Sequence, residues 1–260
     1  MAGDFAEKFK KVVHSNFNLS REHYVDMEEK YDFFLQLTDK LVDKIQKPAE
    51  WRNEKLHILD VGCGTGASTA RLQKLFPNAE VEGLDFSEEM LAEAKKNLPD
   101  VKFVCGDGEL LGDYYAGQTF DLIIYPASIF LMPHQAQALE AANALLAKDG
   151  VIAASVLLGL KEKDYTPMDS LPPFKGIIKN EDLADVMAEY FAEIGAEKIQ
   201  IALDREKATM IYKIEALSAG AFPGKPYEER QEAIQAVIAE AEAKGLTLVQ
   251  EWNLLTGYKK

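Results

Sequence analysis

Cysteine is scarce in this chain, and its two cysteines lack the spacing of a metal site. Cys63 and Cys105 are the only cysteines among 260 residues, and neither has a neighbour at metal-ligand spacing. No zinc or other metal is therefore expected. Because both cysteines fall in or beside predicted strands, we interpret them as buried, reduced thiols.

Long hydrophobic runs are also missing. The longest, residues 151–160, has about half the length that a membrane-spanning helix needs. The N-terminal stretch, residues 1–8, lacks an apolar segment behind a basic start, so no secretory signal is predicted. We therefore expect a cytoplasmic protein without a membrane partner.

Basic residues are outnumbered by acidic ones. The chain has 29 lysines and arginines against 43 aspartates and glutamates, and its formal net charge is −14. Such a charge repels duplex nucleic acid unless a local basic patch overcomes it. The densest basic cluster, residues 8–11, is short, and we interpret it as a solvated helix end. A partner of long nucleic acid is therefore not expected.

Apolar periodicity divides the first part of the chain into two regions. Residues 1–50 have apolar side chains at helical spacing, and Pro48 marks the predicted end of the helices. Short apolar runs then predict five strands, at 57–61, 80–85, 102–105, 120–125 and 151–158.

Most intervals between these strands predict helices, at 67–75, 87–98 and 135–147, and Ser87 has the position of an N-cap. The interval before residue 120 predicts only a loop or a short helix. Strands that alternate with helices predict a parallel sheet covered on both faces.

The remaining residues are less regular. Proline and glycine in residues 161–179 predict a flap over one edge of the sheet. A helix at 182–194, ended by Gly195, and a strand at 198–203 are predicted next.

The C-terminal part holds one ambiguous segment and two clear ones. Residues 208–217 fit either a strand or a helix. Pro226 begins a predicted helix that ends at Gly245, and residues 246–258 are predicted to be the last strand.

A glycine-rich turn follows the first predicted strand, in the sequence Asp60-Val-Gly-Cys-Gly-Thr-Gly66. Gly62, Gly64 and Gly66 allow positive φ and let a ligand lie against the main chain, while the next helix directs free N–H groups toward it. The turn alone fits a dinucleotide-binding enzyme equally well, and a purely structural turn also remains open.

Three further strand ends carry polar or aromatic residues. Asp85 ends the second strand, about twenty residues after the turn, where an acid can accept both hydroxyls of a ribose; a helix-capping role is the alternative. Asp107-Gly108 follows the third strand, where the carboxylate can accept an adenine amine or can simply stabilise a turn. The fourth strand delivers Tyr125 and Pro126 to the same rim.

In this order, these four features resemble the class I S-adenosylmethionine-dependent methyltransferase family over roughly residues 55–158. The resemblance implies that Asp60, Gly62, Gly64 and Gly66 surround the methionine part of S-adenosylmethionine. It further implies that Asp85, with Phe86 beside it, binds the ribose. Asp107 and Gly108 would bind the adenine. Tyr125 at the rim and Tyr24 in the lid would also contact the cofactor. Asp121 matches the acid of the fourth-strand motif and is interpreted as structural.

The resemblance also implies the architecture, an α/β fold with a doubly wound, seven-stranded, mostly parallel, Rossmann-like sheet. Its implied parts form one domain: a helical lid at 1–50, a cofactor-binding core at 55–158, a flap, helix and sixth strand at 159–204, a helical insertion at 205–245 and the last strand at 246–260. Its oligomeric state would be a monomer or a homodimer.

The sulfonium methyl group is already activated, so the protein mainly has to orient the reactants and exclude water, and no metal is needed. A general base, where one is required, could be His134, His23 or Tyr24; for His134 a capping position on the next helix is the stronger interpretation. The layout is similar to biotin-pathway and ubiquinone-type methyltransferases. In the biotin-pathway group a lid tyrosine reaches the cofactor, which implies that role for Tyr24.

Several large apolar residues predict a closed pocket for a small, partly apolar acceptor, although packing in the core explains most of them equally well: Phe17, Tyr31, Phe130, Met132, Phe174 and Phe222. Residues 125–128, Tyr-Pro-Ala-Ser, do not match the motif of adenine or glutamine methyltransferases. A non-catalytic S-adenosylmethionine sensor and an NAD-dependent oxidoreductase remain the alternatives.

Overall fold

A computed structural model describes residues 2–46, 51, 54–171 and 182–260, and a sheet of seven strands crosses its centre. Because the central strands are rich in Val, Ile and Leu and are buried on both faces, they form one continuous core. Their bounds are β1 His57–Val61, β2 Glu80–Asp85, β3 Phe103–Cys105, β4 Phe120–Tyr125, β5 Leu146–Glu162, β6 Phe191–Leu203 and β7 Leu248–Lys259.

The strand order is β3-β2-β1-β4-β5-β7-β6. Strands β1 to β5 are parallel, and β7 runs antiparallel to both β5 and β6. The chain moves from β1 toward one edge and then returns to β4 on the other side of β1. This reversal opens a crevice at the carboxyl ends of β1 and β4, where open α/β sheets bind ligands. The predicted fold class is confirmed.

Helices connect the strands in two groups. In the described residues they are α1 Ala2–Lys30, α2 Phe33–Asp43, α3 Ala67–Leu75, α4 Glu88–Asn97, α5 Leu111–Tyr115, α6 Gln135–Leu145, α7 Leu183–Tyr190, α8 Arg205–Lys213, α9 Glu215–Ala221 and α10 Tyr227–Lys244. Helix α2 packs against α3, while α6 packs against α5 and α7. None of the helices in these residues has the length and apolarity to cross a bilayer.

Local signals explain where two of these helices begin and end. The Ser87 hydroxyl accepts a hydrogen bond from the Met90 N–H at 3.1 Å, which confirms the predicted N-cap of α4. Helix α10 ends at Gly245, whose left-handed φ of 65° suits a residue without a Cβ.

The N-terminal helix α1 packs against the late helices α8 and α9. The Glu215 N–H at the start of α9 donates to the Ser20 hydroxyl at 2.8 Å, and Ser20 is fully buried. Two segments that are far apart in the sequence therefore meet at this hydrogen bond. The ambiguous residues 208–217 are helical, within α8 and α9.

Two predictions need correction. The helix predicted at 182–194 ends at Tyr190, and Phe191 already pairs with Lys259 of β7. Sheet pairing outweighs the helical periodicity here because it buries Phe191 and satisfies the backbone. Cys105 is exposed rather than buried, because β3 lies at the edge of the sheet.

Parts of two other predictions lie outside the described residues. They are the helix end at Pro48 and most of the flap, including Phe174. The part of the flap that is described begins as strand, because β5 extends to Glu162.

Candidate functional site

The glycine turn after β1 is held by the neighbouring strand. The N–H groups of Gly62 and Cys63 both donate to the Leu84 carbonyl, at 2.7 and 3.1 Å. Gly62, Gly64 and Gly66 all have positive φ, of 77°, 54° and 86°. A Cβ on Gly62 would lie 2.3 Å from Cβ of Ser128, whereas a Cβ on Gly64 would meet no atom within 4 Å. The turn is therefore packed at Gly62 and open at Gly64.

Asp60 lies beneath this turn and is fully buried. Its Oδ2 accepts hydrogen bonds from the hydroxyls of Ser68 and Thr69, at 2.6 and 2.7 Å. Its Oδ1 is also buried and accepts no hydrogen bond from the residues that the structure describes. Burial raises the pKa of Asp60 to about 6, and the two hydroxyls oppose that rise.

Asp85 lies at the carboxyl end of β2 and faces the turn. Its Oδ2 accepts from the Gly64 N–H and its Oδ1 from the Ser87 N–H, each at 2.8 Å. Burial raises the pKa of Asp85, while these backbone donors lower it. The carboxylate thus connects the turn to α4, and Phe86 beside it is 41% exposed and meets the His14 ring edge-on at 5.0 Å.

Asp107 and Gly108 follow β3. Oδ1 of Asp107 accepts from the Glu109 N–H at 3.0 Å, and Oδ2 lies 2.6 Å from Nζ of Lys10 in α1. A Cβ on Gly108 would lie 2.6 Å from Cε of Met132 and 2.9 Å from Cγ1 of Val61, so a side chain there would have to displace both.

Most of the assigned residues line one cavity. It has about 820 Å³ of space free of protein atoms, part of it open to solvent, which is within the range of small-molecule sites. The assigned residues on its wall are Tyr24, Gly62, Gly64, Asp85, Phe86, Asp107 and Gly108. Asp60 and Gly66 lie behind this wall and support the turn.

Tyr125 does not reach the cavity, contrary to its assignment. It is fully buried, and its hydroxyl donates to the Ala138 carbonyl of α6 at 3.4 Å. The cavity is lined instead by residues 126–128, where Ala127 has a left-handed φ of 56° and donates its N–H to the Ser155 hydroxyl at 2.8 Å. Asp121 accepts from the His57 N–H at 2.8 Å, in agreement with a structural role.

Tyr24 faces the cavity from α1. Its ring stacks on Phe34 with centroids 4.9 Å apart and an interplanar angle of 6°, so the ring is held firmly. Burial raises the pKa of Tyr24 well above its usual value, and the charges of Glu28, Asp85 and Asp60 raise it further. At neutral pH the hydroxyl is therefore protonated and can donate a hydrogen bond.

The candidate bases His134 and His23 do not line the cavity. His134 precedes α6, and its N–H and Nδ1 lie 2.7 and 2.9 Å from the carboxylate of Glu109. It occupies the N-cap position, although its side chain caps no helix N–H. Pro133, its neighbour, reaches the cavity wall instead.

Two contributors from α1 were not identified from the sequence. Lys10 belongs to the cluster interpreted as a solvated helix end, yet it pairs with Asp107 and with the buried Glu109. Glu28 accepts a hydrogen bond from the Thr65 hydroxyl of the turn at 2.6 Å, and burial raises its pKa to about 7. In the sequence, the one signal for Lys10 and Glu28 is that they lie on the same predicted helix as Tyr24.

The apolar residues predicted for a pocket separate into two sets. Phe17 and Met132 line the cavity, whereas Phe130 and Phe222 are buried in the core. Tyr31 lines a separate surface depression between α2 and β6.

One group of potential metal ligands occurs in the described residues, at the opposite end of the sheet. His57, Glu80 and Glu82 place ligand atoms within 4.8 Å of one another. Lys102 lies 2.6 Å from Oε2 of Glu82, so a lysine forms an ion pair with the buried carboxylate in place of a metal ion.

The cavity fits an adenosyl-methionine ligand. Gly64 leaves open space beside the main chain, and Asp85 and Asp107 lie at the ends of adjacent strands. Oδ1 of Asp60 is a buried acceptor that still needs a donor or a cation. These carboxylates provide acceptors for the amine and hydroxyl groups of such a molecule.

Comparisons with known proteins match the part of the chain that carries most of this cavity. The family model described as "Methyltransferase domain" matches residues 58–150. A malonyl-[acyl-carrier protein] O-methyltransferase of Ilyobacter polytropus is 26% identical over 197 residues, which cover 73% of this chain and 70% of that protein. A trans-aconitate 2-methyltransferase of Escherichia coli is 34% identical over 148 residues, which cover 54% of this chain and 56% of the relative.

A solved structure supports the fold over nearly the whole chain. The plantazolicin methyltransferase BpumL, in complex with S-adenosylhomocysteine, matches with a TM-score of 0.52 and 14% identity, and the match covers 98% of each chain. The chain spans little more than half the length of the trans-aconitate enzyme.

Proposed function

We propose that the chain is a class I S-adenosylmethionine-dependent methyltransferase that transfers the methyl group of S-adenosylmethionine to a small-molecule acceptor; the matching family model over residues 58–150 and two methyltransferase relatives support this. One observation supports this most directly. Tyr24 of α1 faces the same cavity as Gly62, Asp85 and Asp107 at the strand ends. A cofactor bound there is covered by a helix, as transfer away from bulk water requires.

The bound cofactor supplies a methyl group that its sulfonium already activates. The chain's own residues have to hold acceptor and methyl in line and exclude water. Phe17, Leu131, Met132 and Pro133 give the cavity an apolar wall for this purpose. Ser128 is fixed beside them, because its hydroxyl donates to the Val61 carbonyl at 2.5 Å.

The character of this wall favours a small, partly apolar acceptor. Among the described residues that line the cavity, the only lysine or arginine is Lys10, and acidic side chains neutralise it. Tricarboxylates or other strongly anionic acceptors therefore find little electrostatic support in this part of the chain.

Tyr24 is proposed to orient the acceptor rather than to deprotonate it. Its raised pKa keeps the hydroxyl protonated at neutral pH, so the group donates a hydrogen bond and cannot act as a base. The acceptor then enters already deprotonated, or it loses its proton to solvent after transfer.

A screen with labelled cofactor tests this proposal. The protein is incubated with S-adenosylmethionine carrying a labelled methyl group and a metabolite extract, and labelled products are identified by mass. The expected result is one dominant labelled small molecule, which disappears with the Asp85→Ala variant.

Calorimetry with S-adenosylhomocysteine and with NAD separates the alternatives. Binding of S-adenosylhomocysteine without methyl incorporation from any extract identifies a sensor. Micromolar binding of NAD without binding of the sulfur ligand identifies an oxidoreductase, and it contradicts the proposal.

A further inference from the structure

Glu109 is a buried carboxylate behind the cavity wall. It follows Asp107 and Gly108 at the end of β3, and its relative exposure is 1%. Its two carboxylate oxygens contact residues from two other segments of the chain. A carboxylate that has been removed from water is stable only where cations and hydrogen-bond donors surround it. These partners therefore decide where Glu109 and its neighbours lie.

One partner belongs to the covering helix. Nζ of Lys10 in α1 contacts Oε2 of Glu109, and the same ammonium group lies 2.6 Å from Oδ2 of Asp107. Asp107 is the acid assigned to the adenine, so Lys10 joins both acids to the helix that covers the cavity. The adenine end of the cavity is therefore connected to Glu109 through Lys10.

The other partner lies beyond β4. The main-chain N–H of His134 donates to Oε1 of Glu109 at 2.7 Å, and Nδ1 of the same residue lies 2.9 Å from Oε2. His134 directly follows Met132 and Pro133, which line the cavity. Met132 also packs over Gly108, since a Cβ there would lie 2.6 Å from its Cε. This segment is therefore held at two points against the end of β3.

We infer that Glu109 is a positioning residue that couples cofactor binding to the acceptor side of the cavity. A cofactor at the end of β3 orders the Lys10 ammonium group, and Lys10 in turn fixes the carboxylate of Glu109. That carboxylate holds His134, next to the wall against which the acceptor lies. The inference rests on the proposed function, because it requires that a cofactor and an acceptor share this cavity.

This coupling gives methyl transfer a preferred order of binding. With cofactor present, the network is complete, and the acceptor meets a wall at residues 131–133 that is already in place. An acceptor that enters first meets a looser wall and has to pay for its ordering. Because coupling between two sites is reciprocal, a bound acceptor also tightens cofactor binding.

Amide hydrogen exchange with and without S-adenosylhomocysteine tests the coupling. The reporter is residues 134–138 at the start of α6, a segment outside the cavity wall in which the Ala138 N–H donates to the His134 carbonyl at 3.1 Å. Residues 62–66 of the glycine turn report on binding itself. Exchange mass spectrometry follows both segments in the full chain at a saturating concentration of the ligand.

Two variants break the network, and each has a matched control. Glu109→Gln removes the buried charge and keeps the size of the side chain. Lys10→Met breaks the network at its lid end and leaves the contacts between Glu109 and His134 in place. Glu140→Gln, at an exposed acid of α6, and Lys11→Met, at an exposed lysine of α1, are the controls.

In the natural protein, the ligand should slow exchange in residues 134–138 about five-fold, the effect of one net hydrogen bond. Glu109→Gln and Lys10→Met should abolish this slowing while the glycine turn is still protected. Both control variants should retain it. Lys10→Met is the sharper test, because Lys10 lies on a different helix and a purely structural role of Glu109 beside α6 would not transmit its loss.

Other outcomes overturn the inference. If the ligand protects the turn of the natural protein but leaves residues 134–138 unchanged, the two sides of the cavity are not coupled. If Glu109→Gln retains the slowing, Glu109 is not the connection. Should Glu109→Gln fail to fold, Lys10→Met decides alone, and slowing that persists in it overturns the inference. If the natural protein does not bind the ligand at all, the proposed function itself fails.

Discussion

Nζ of Lys10 lies 2.6 Å from Oδ2 of Asp107, and this ion pair joins α1 to the end of β3. The same ammonium group contacts Glu109, which is almost fully buried and also accepts from His134. A carboxylate assigned to the adenine is therefore already part of a network that ties down the covering helix. Loss of Lys10 would leave the buried Glu109 without its cation.

Lys10→Met is expected to loosen the N-terminal half of α1. Amide hydrogen exchange in residues 5–17 should become faster, and S-adenosylhomocysteine should bind about three- to ten-fold more weakly, because a partly buried ion pair is lost. Exchange mass spectrometry and calorimetry measure the two effects. Lys11→Met is the control, since Lys11 is exposed and pairs only with Glu7 on the same helix. Equal exchange in both variants would show that the Lys10 contacts do not hold the helix.

Asp85→Ala should weaken S-adenosylhomocysteine binding about ten-fold or more, because charge-assisted hydrogen bonds to the ribose are lost. Calorimetry measures the change, and thermal unfolding shows whether the turn survives without the acceptor of the Gly64 N–H. Asp113→Ala, an exposed acid on α5, is the control. Unchanged affinity in a folded Asp85→Ala protein would mean that the ribose is held elsewhere.

Gly64→Ala separates backbone strain from ligand contact. Gly64 and Gly117 both have positive φ, of 54° and 80°, and an added Cβ meets no atom at either position. Alanine should therefore lower the free energy of unfolding by a similar amount, about 1 kcal/mol, at both sites. Only Gly64 lines the cavity, so only Gly64→Ala should also weaken S-adenosylhomocysteine binding. Equal binding by the two variants would place the ligand away from the turn.

Binding of S-adenosylhomocysteine should weaken as the pH falls. Burial raises the pKa of Glu28 to about 7 and that of Asp60 to about 6, so both carboxyl groups take up protons as the pH falls from 8 to 5.5. These carboxylates accept hydrogen bonds from the Thr65 and Ser68 hydroxyls, and their neutral forms accept them less strongly, so the turn loosens and affinity should fall about three-fold over this range. Calorimetry at several pH values measures the change. Glu28→Gln should lack the part of the change near pH 7, and a flat profile for the natural protein would contradict the prediction.

Strong local signals made much of the fold predictable. The glycine turn, the acids at strand ends and the alternation of strands with helices predicted the sheet and the resemblance, and a methyltransferase-domain family model matches residues 58–150. The boundary at Phe191 was not predictable, because its strand forms only through pairing with β7, far along the chain. Helical periodicity in residues 182–190 gave no sign of that partner.

The site was less predictable than the fold. Strand β4 is buried on both faces, so its sequence does not alternate in polarity and does not reveal which way Tyr125 points. The contributions of Lys10 and Glu28 depend on how α1 lies across the sheet, which is a tertiary relationship. The acids at the strand ends, Asp85 and Asp107, were predicted correctly to line the cavity. In an open parallel sheet, the carboxyl ends of the strands border the ligand crevice.

The hydrogen bond between the Glu215 N–H and the Ser20 hydroxyl joins two segments that both lie outside residues 58–150. The cover of the cavity is therefore built from parts of the chain that are separate from the turn and acids below it. For protein engineering, this separation means that α1, α8 and α9 form one exchangeable unit. Grafting them together from a relative should alter acceptor choice when the graft keeps Tyr24 and the contacts of Lys10 and Glu28 to the methyl-donor pocket, whereas grafting α1 alone would break the junction at Ser20.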